Sequence, residues 1–245
     1  MGENRTHVKG QARIWAHFQN DLPGSFDGAR PRLNYIIKQI ARKGTDLFPR
    51  LLNIGAGNGY LEEMAQRSGW DIYSMDPDVP TIGRLIMKGV KGYVGRIEQM
   101  PFHSSSFDFV IASELLEHLT DGQRHRAIQE IHRVLKCGGW FLGTVPYNEN
   151  LLANRVVCPE CGVFFHRWGH TKSFDLNMIR TELSVAFEGL EVRRMAFVEL
   201  RQRPLSRKIR GLIRLVLARH GAEIAFPSIY FSSQKRRPAL PNKSS

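Results

Sequence analysis

The chain has 245 residues, of which 42% are hydrophobic and 24% charged, a composition typical of one globular domain with room for elaborations. Apolar runs long enough for a transmembrane helix or a secretory signal are missing, so a cytoplasmic protein is expected. The three cysteines are too few for a disulfide scaffold.

Short apolar runs alternate with helical periods along most of the chain. In order, the patterns predict a helix over 32–43, a strand over 50–54, a helix over 60–68, a strand over 71–75, a helix over 81–88 and strands over 92–96 and 107–112. A helix over 123–135, a strand over 140–145, a helix over 176–187 and strands within 190–200 and over 229–233 follow. This alternation predicts an α/β fold with a doubly wound parallel sheet.

Three parts of the chain are expected. Residues 1–45 form an N-terminal helical region, and residues 46–233 form the main domain with insertions at 147–175 and 201–226. Residues 234–245 contain two prolines and no apolar period, so a disordered basic tail is expected.

The net charge of +12 is concentrated at the C-terminal end. After Leu200 there are eleven Lys and Arg residues and one acid, Glu223. Such an end suits nucleic acid, anionic lipid or an acidic substrate, and it equally suits a solvated surface. Residues 205–219 have the period of a basic amphipathic helix, which fits either peripheral contact with an anionic membrane or packing on the domain.

A glycine-rich turn follows the first predicted strand. Gly55, Gly57 and Gly59 lie between that strand and a helix, and the next strand ends at Asp76. Glycine permits close approach of the backbone to a ligand, and an acid in this place can accept hydrogen bonds from ribose hydroxyls. The spacing differs from the G-x-G-x-x-G of dinucleotide-binding loops.

Four motifs in order resemble the class I S-adenosylmethionine (SAM) dependent methyltransferases. They are LLNIGAGNGY at 51–60, SMDPD at 74–78, IEQMPFHSSSFDFVIASELLEHL at 97–119 and EIHRVLKCGGWFLGTVP at 130–146. Within that class the chain is similar to the small-molecule subgroup, methyltransferase type 11, which includes quinone-biosynthesis enzymes. The resemblance implies a Rossmann-like, mostly parallel seven-stranded sheet with an antiparallel last strand.

The resemblance also implies a cofactor, SAM, and the residues that hold it. Gly55, Ala56, Gly57 and Gly59 are expected along the methionine part of SAM, Asp76 at the ribose, Pro77 beside the adenine, Ile97 and Glu98 at the adenine edge, and Ser113 and Leu115 near the methionine end.

Methyl transfer from a sulfonium is an in-line displacement, so positioning of the acceptor is the main requirement. A base is needed only where the acceptor keeps its proton. His118 and Glu114 are the candidate catalytic residues, and Glu117 is a further candidate that is expected to be exposed. Alternatively, His118 packs beneath the site.

Residues 158–170 contain the spacing C-x2-C-x4-H-x3-H. Cys158, Cys161, His166 and His170 supply four ligands suited to tetrahedral Zn²⁺. A partial set of these ligands, or reduced thiols and histidines that stabilise a loop, are the alternatives. Because the segment follows a strand of the sheet, it is expected to form part of the acceptor pocket.

The expected function is methyl transfer from SAM to a small-molecule acceptor, by default O-methylation of a sugar or lipid-linked intermediate. The Asn/Asp-Pro-Pro-aromatic run of base-methylating enzymes does not follow the fourth strand, which disfavours a nucleic-acid substrate. The alternatives are a SAM-binding protein without turnover and an RNA methyltransferase that uses the cationic end. The amino-acid sequence does not indicate an oligomeric state.

Overall fold

The computed structural model describes residues 3–44, 46–198 and 227–236, together with Ile209 and Ile213. The predicted basic helix at 205–219 lies outside the described residues except for these two isoleucines, which are helical and exposed. Among the described residues, none of the helices is long and apolar enough to cross a membrane.

A seven-stranded sheet forms the centre of the protein. Its strands are β1 (Arg50–Ile54), β2 (Asp71–Asp76), β3 (Lys91–Val94), β4 (Phe107–Ser113), β5 (Leu135–Pro146), β8 (Phe187–Met195) and β9 (Ser228–Lys235). The spatial order is β3-β2-β1-β4-β5-β9-β8. Strand β9 is antiparallel to both of its neighbours, and the pairs from β3 to β5 are parallel. The predicted Rossmann-like α/β fold is confirmed.

Six α-helices accompany the sheet within the described ranges 3–44 and 46–198. They are α1 (Glu3–Asn20), α2 (Arg30–Lys43), α3 (Tyr60–Arg67), α4 (Val79–Met87), α5 (Asp121–Val134) and α6 (Leu176–Ser184). Local sequence signals set several of their ends. A capping box between Thr120 and Gln123 begins α5, and the Asp78 carboxylate accepts from the Thr81 N–H at the start of α4.

Two apolar cores lie on the two faces of the sheet. Helices α2, α3 and α4 cover one face with side chains such as Ile36, Leu61 and Leu85. Helices α5 and α6 cover the other face, where Ile131 and Ile179 pack beside the strands. Both faces are therefore buried, which explains why the central strands read as continuous apolar runs.

The residues predicted as an insertion at 147–175 leave the sheet after β5. They contain a small antiparallel pair, β6 (Arg155–Val157) and β7 (Phe164–His166). The base of the segment is closed by a bridge between Tyr147 and Phe174 and by the Asn148 N–H, which donates to the Phe174 carbonyl. Phe174 is buried in the core and does not line the pocket.

Strand β9 corrects the predicted boundary of the tail. It pairs with β5 through Gln234 and with β8 through Lys235, so the main domain extends past residue 233. The Gln234 side chain also donates to the Gly138 carbonyl and the Lys235 ammonium donates to the Leu135 carbonyl. These side-chain hydrogen bonds extend the ladder beyond the apolar residues that the sequence pattern detects.

Candidate cofactor and acceptor cavity

A cavity of about 310 Å³ opens at the carboxyl ends of β1, β2 and β4. This edge is where open α/β sheets bind their ligands. The predicted residues that line it are Gly55, Ala56, Gly57, Asp76, Pro77, Ile97, Glu98, Ser113, Glu114, Leu115, His118 and His170. Motifs that are up to 115 positions apart in the sequence therefore meet around one cavity.

The glycine turn forms the floor of the cavity. Gly55 and Gly57 have φ values of +86° and +54°, which side chains other than glycine rarely adopt. Gly59, which was predicted along the methionine part of SAM, is not among the residues that line the cavity. Its backbone faces α4, where an added Cβ would lie 2.7 Å from Leu85 Cδ2. Gly59 therefore serves the packing of the turn.

Asp76 lies at the end of β2 with its carboxylate almost completely buried. Oδ2 accepts from the Ala56 N–H at 3.0 Å, and Oδ1 accepts from the Asp78 N–H at 2.9 Å. Burial raises the pKa of the carboxyl group, and the two backbone N–H groups oppose that rise. The glycine turn and the second strand are thus joined by one carboxylate.

Gln19 of α1 is a cavity residue that the sequence did not indicate. Its Nε2 donates to Asp76 Oδ2 at 2.9 Å, and its Oε1 is buried without a hydrogen-bond partner. An unpaired buried acceptor is costly, so a bound ligand that donates here would be favoured. The side chain lies 57 positions from Asp76 in sequence, and its only signal is a polar residue on an otherwise apolar helix face.

Arg32 of α2 is a second cavity residue that the sequence did not indicate. Its Nε donates to Ser113 Oγ at 2.9 Å, and its Nη1 lies 3.9 Å from Glu114 Oε1. Glu114 has a φ of +53°, an uncommon conformation that turns the chain sharply after β4. The cation therefore supports the predicted methionine end of the SAM site, since Ser113 and Glu114 both line the cavity.

Arg32→Ala should weaken SAM binding roughly 10-fold, because it removes a charge-assisted hydrogen bond and leaves Glu114 unpaired. The change is measured as the SAM dissociation constant by calorimetry. The control Arg67→Ala removes an exposed arginine that pairs with Glu63 on α3, far from the cavity. Equal dissociation constants for the two variants would contradict the support assigned to Arg32.

The predicted adenine edge is formed by Ile97 and Glu98. Ile97 is buried, and Glu98 Oε1 accepts from Gln123 Nε2 of α5 at 2.5 Å. Gln123 also lines the cavity. At the predicted adenine edge, Ile97 therefore provides an apolar wall, and Glu98 provides a carboxylate that Gln123 holds in place.

Aromatic rings form the opposite side of the cavity. Trp15 of α1 contacts the His118 ring edge to face at 4.6 Å, and its Nε1 donates to the Trp168 carbonyl at 3.4 Å. Trp168 and Trp15 both line the cavity. Helix α1 and the segment 147–175 thus meet across this side.

His118 lies deep within this aromatic side. Burial lowers its pKa to about 3, assisted by the neighbouring His170, and its Nδ1 lies 3.3 Å from the Gly169 carbonyl oxygen. A neutral imidazole with so low a pKa is a weak base near neutral pH. This property argues against His118 as a general base, although the side chain lines the cavity as predicted.

Glu117 was expected to be exposed, and the structure corrects this. Its side chain has no exposed surface, and neither carboxylate oxygen has a hydrogen-bond partner in the part of the chain that the structure describes. Burial, with the nearby charge of Glu114, raises the pKa of Glu117 well above its ordinary value. The residue belongs to a single 3-10 turn (Leu116–His118), which is too short for a hydrophobic period to show its buried side.

Glu149, His166 and His170 form a group beneath Trp168. His170 Nδ1 contacts Glu149 Oε2 at a short hydrogen-bonding distance, and His166 Nε2 lies 3.3 Å from Glu149 Oε1. The two imidazole rings stack with centroids 4.6 Å apart. Candidate ligand atoms of Glu149, His166 and His170 lie within 4.8 Å of one another, and so do those of Glu117, His118 and His170.

The structure does not bring together the four residues predicted as a zinc site, Cys158, Cys161, His166 and His170. Both cysteines lie in the turn of the β6–β7 hairpin, where the Cys158 N–H donates to the Val163 carbonyl. His166 ends β7, three residues after Val163, which separates it from the turn by about 10 Å of extended chain. Among the described residues, the histidines group with carboxylates instead of thiols.

Residues 52–143 match the family model described as methyltransferase domain. The match spans β1 to β5 and includes every cofactor residue that was predicted from the motifs. Together with the fold described above, the match identifies residues 52–143 as a methyltransferase domain.

Curated relatives match part of the chain. Arginine-hydroxylase NDUFAF5 of Mus musculus is 30% identical over 153 residues, which cover 56% of this chain and 40% of that protein. An uncharacterised methyltransferase of Synechocystis is 32% identical over 94 residues, covering 38% of this chain and 44% of that protein. The matched region thus spans less than half the length of these relatives.

The fold also matches solved structures. The 1,6-didemethyltoxoflavin-N1-methyltransferase of Burkholderia thailandensis, solved with its substrate and S-adenosylhomocysteine, aligns with a TM-score of 0.67 at 13% identity. The alignment covers 97% of this chain and 92% of that one. At this identity the match shows the shared fold.

Proposed function

We propose that the protein binds SAM in the cavity at the carboxyl end of the sheet and transfers its methyl group to a small molecule. One observation carries the proposal: the glycine turn, Asp76, the Ile97–Glu98 segment and Ser113 line a single cavity. Their convergence provides the arrangement of backbone and carboxylate groups that a SAM site requires.

The residues present fit the cofactor. Asp76 Oδ1 accepts one hydrogen bond from the protein, and the buried Gln19 Oε1 accepts none, so both could accept from ribose hydroxyls. The turn at Gly55–Gly57 leaves backbone accessible to the methionine part. When bound, SAM supplies the electrophilic methyl group, and this chain supplies its orientation.

The acceptor side of the cavity suits a small and partly apolar molecule. Trp15, Phe18 and Trp168 line it, and aromatic faces of this kind pack against planar rings or the apolar faces of sugars. We propose a hydroxyl as the methylated group, with a sugar or lipid-linked intermediate as the acceptor class. The cationic end after Leu200, which the RNA alternative requires, lies outside the described residues except for Ile209, Ile213 and residues 227–236.

Most of the rate enhancement would come from positioning the acceptor oxygen in line with the methyl group. Where the hydroxyl keeps its proton until attack, Glu114 is the candidate base. Its Oε1 is buried without a hydrogen-bond partner and lies 3.9 Å from Arg32 Nη1. The arginine would hold the carboxylate in place. The uncharged His118 side chain would line the cavity without accepting the proton.

The proposal is tested by incubating the purified full chain with SAM that carries a labelled methyl group and with fractions of a metabolite extract. Methyl transfer gives S-adenosylhomocysteine and one labelled product. SAM binding without either product would instead support the alternative of a binding protein without turnover.

A second candidate is hydroxylation of an acceptor, possible on this scaffold because the mouse relative is named an arginine-hydroxylase. Hydroxylation would insert one oxygen atom of O₂ into a C–H bond and reduce the other to water, using two electrons and two protons from an external reductant. The assay above separates the two candidates, because a methylated product gains one carbon and two hydrogens whereas a hydroxylated product gains one oxygen. Omission of SAM stops only the first reaction.

A further inference from the structure

We infer that Glu117, His118 and His170 form a binding site for a divalent first-row transition-metal ion, which opens onto the acceptor side of the cavity. The metal site itself does not rest on the proposed function, whereas its role toward an acceptor does. It rests on the position of three side chains with metal-ligating atoms and on the way each is held.

The first observation is the grouping itself. Candidate ligand atoms of Glu117, His118 and His170 lie within 4.8 Å of one another, although 53 positions separate the first residue from the last. The Glu117 carbonyl accepts from the Thr171 N–H at 2.8 Å, which ties the segment that carries His170 to the turn that carries the other two residues. The fold therefore holds the three side chains together, unlike a chance grouping of side chains on a surface.

The second observation is independent of the grouping. Among the described residues, both oxygens of the fully buried Glu117 side chain lack a hydrogen-bond partner, whereas Oε1 of the fully buried Glu62 accepts from Asn53 and Ser74 and only its Oε2 has none. A buried carboxylate without partners is strongly destabilising unless it is neutralised or paired. A cation bound between Glu117 and the two imidazoles would provide the missing partner.

The third observation concerns the histidine orientation. His170 Nδ1 contacts the Glu149 carboxylate, and His118 Nδ1 faces the Gly169 carbonyl. Histidines that bind metals are commonly oriented in this way, with one ring nitrogen on a carboxylate or carbonyl and Nε2 toward the ion. Glu149 would thus be a positioning residue, held from its other side by His166.

The donor set defines the class of ion. Two imidazoles and one carboxylate suit Mn²⁺, Fe²⁺, Co²⁺ or Zn²⁺, and three protein ligands leave coordination positions open to water or an acceptor. Since His118 and His170 line the cavity, the open positions would face the space assigned to the acceptor. An acceptor hydroxyl bound there would lose its proton more readily.

The experiment uses the full chain, treated with a chelator and titrated with Co²⁺. We expect one Co²⁺ per chain with d–d absorption and without the charge-transfer absorption of a thiolate ligand. Glu117→Gln and His170→Ala should each weaken binding at least about 100-fold, and Glu149→Gln about 10- to 100-fold. The matched control Glu62→Gln alters the other fully buried glutamate and should leave the Co²⁺ affinity unchanged.

A double variant, Cys158→Ser with Cys161→Ser, separates this site from the hairpin turn and should keep the same spectrum. Three results would overturn the inference: weak binding to the wild-type chain, a thiolate band that the double variant loses, or full affinity in Glu117→Gln. Circular dichroism identifies any variant that fails to fold. SAM affinity, measured with and without chelator, tests the proposed function separately.

Discussion

Asp76→Ala should abolish SAM binding, with a loss in affinity of at least about 100-fold. The carboxylate would accept from the ribose hydroxyls, and two hydrogen bonds to a charged group are together worth about 3 kcal/mol or more. The variant would also release the Ala56 N–H and Gln19 Nε2, which the carboxylate now holds. The dissociation constant from calorimetry is the measurement.

The control is Asp71→Ala at the start of the same strand, where the carboxylate pairs with Arg50 and Lys91 away from the cavity. This variant should bind SAM like the wild type. The Asp76→Asn variant separates the effect of the charge from that of the side-chain shape. Because the asparagine amide keeps one acceptor oxygen, this variant should lose less SAM affinity than Asp76→Ala. Unchanged affinity in Asp76→Ala would remove the basis of the cofactor assignment.

Gly143→Ala should unfold the protein or destabilise it by roughly 3 kcal/mol or more. Gly143 lies in β5 between β4 and β9, and an added Cβ would lie 2.2 Å from the Ala112 carbonyl oxygen and 2.4 Å from Phe231 Cζ. The backbone carbonyl belongs to the ladder and cannot move aside, so both overpacking and lost pairing contribute. For a domain of this size the melting temperature should fall by about 10 °C.

Gly122→Ala is the matched glycine variant, because nothing lies within 4 Å of the added Cβ in the first turn of α5. It should be neutral or slightly stabilising, since alanine favours helix. Comparable melting temperatures for the two glycine variants would show that the sheet tolerates the extra atom at Gly143.

The cofactor half of the cavity could be predicted from the sequence because its residues follow strands whose apolar runs are unmistakable. Once β1, β2 and β4 are assigned and parallel, Gly55, Asp76 and Ser113 must lie along one edge of the sheet. Gly59 lies outside the cavity and faces α4, and a glycine required by a helix contact and one required by a ligand look alike in sequence.

The residues that α1 and α2 contribute to the cavity could not be predicted, because tertiary packing decides their position. Gln19 and Arg32 reach the cavity from α1 and α2, whose docking over the sheet leaves no signal in residue spacing. The cysteine and histidine spacing was misleading for a similar reason. In the β6–β7 hairpin, Cys161 lies at the turn and His166 lies at the far end of β7, so the cysteines and the histidines are separated. The histidines lie beside Glu149 and Glu117 instead.

The central claim is that SAM occupies the cavity beside Asp76, and a crystal structure of the chain grown with S-adenosylhomocysteine tests it most directly. We expect the ribose hydroxyls at Asp76 and Gln19, the adenine at Ile97 and Glu98, and the amino-acid end near Gly55 and Ser113. Density for the ligand at another site, or a cavity still empty at saturating ligand, would contradict the account.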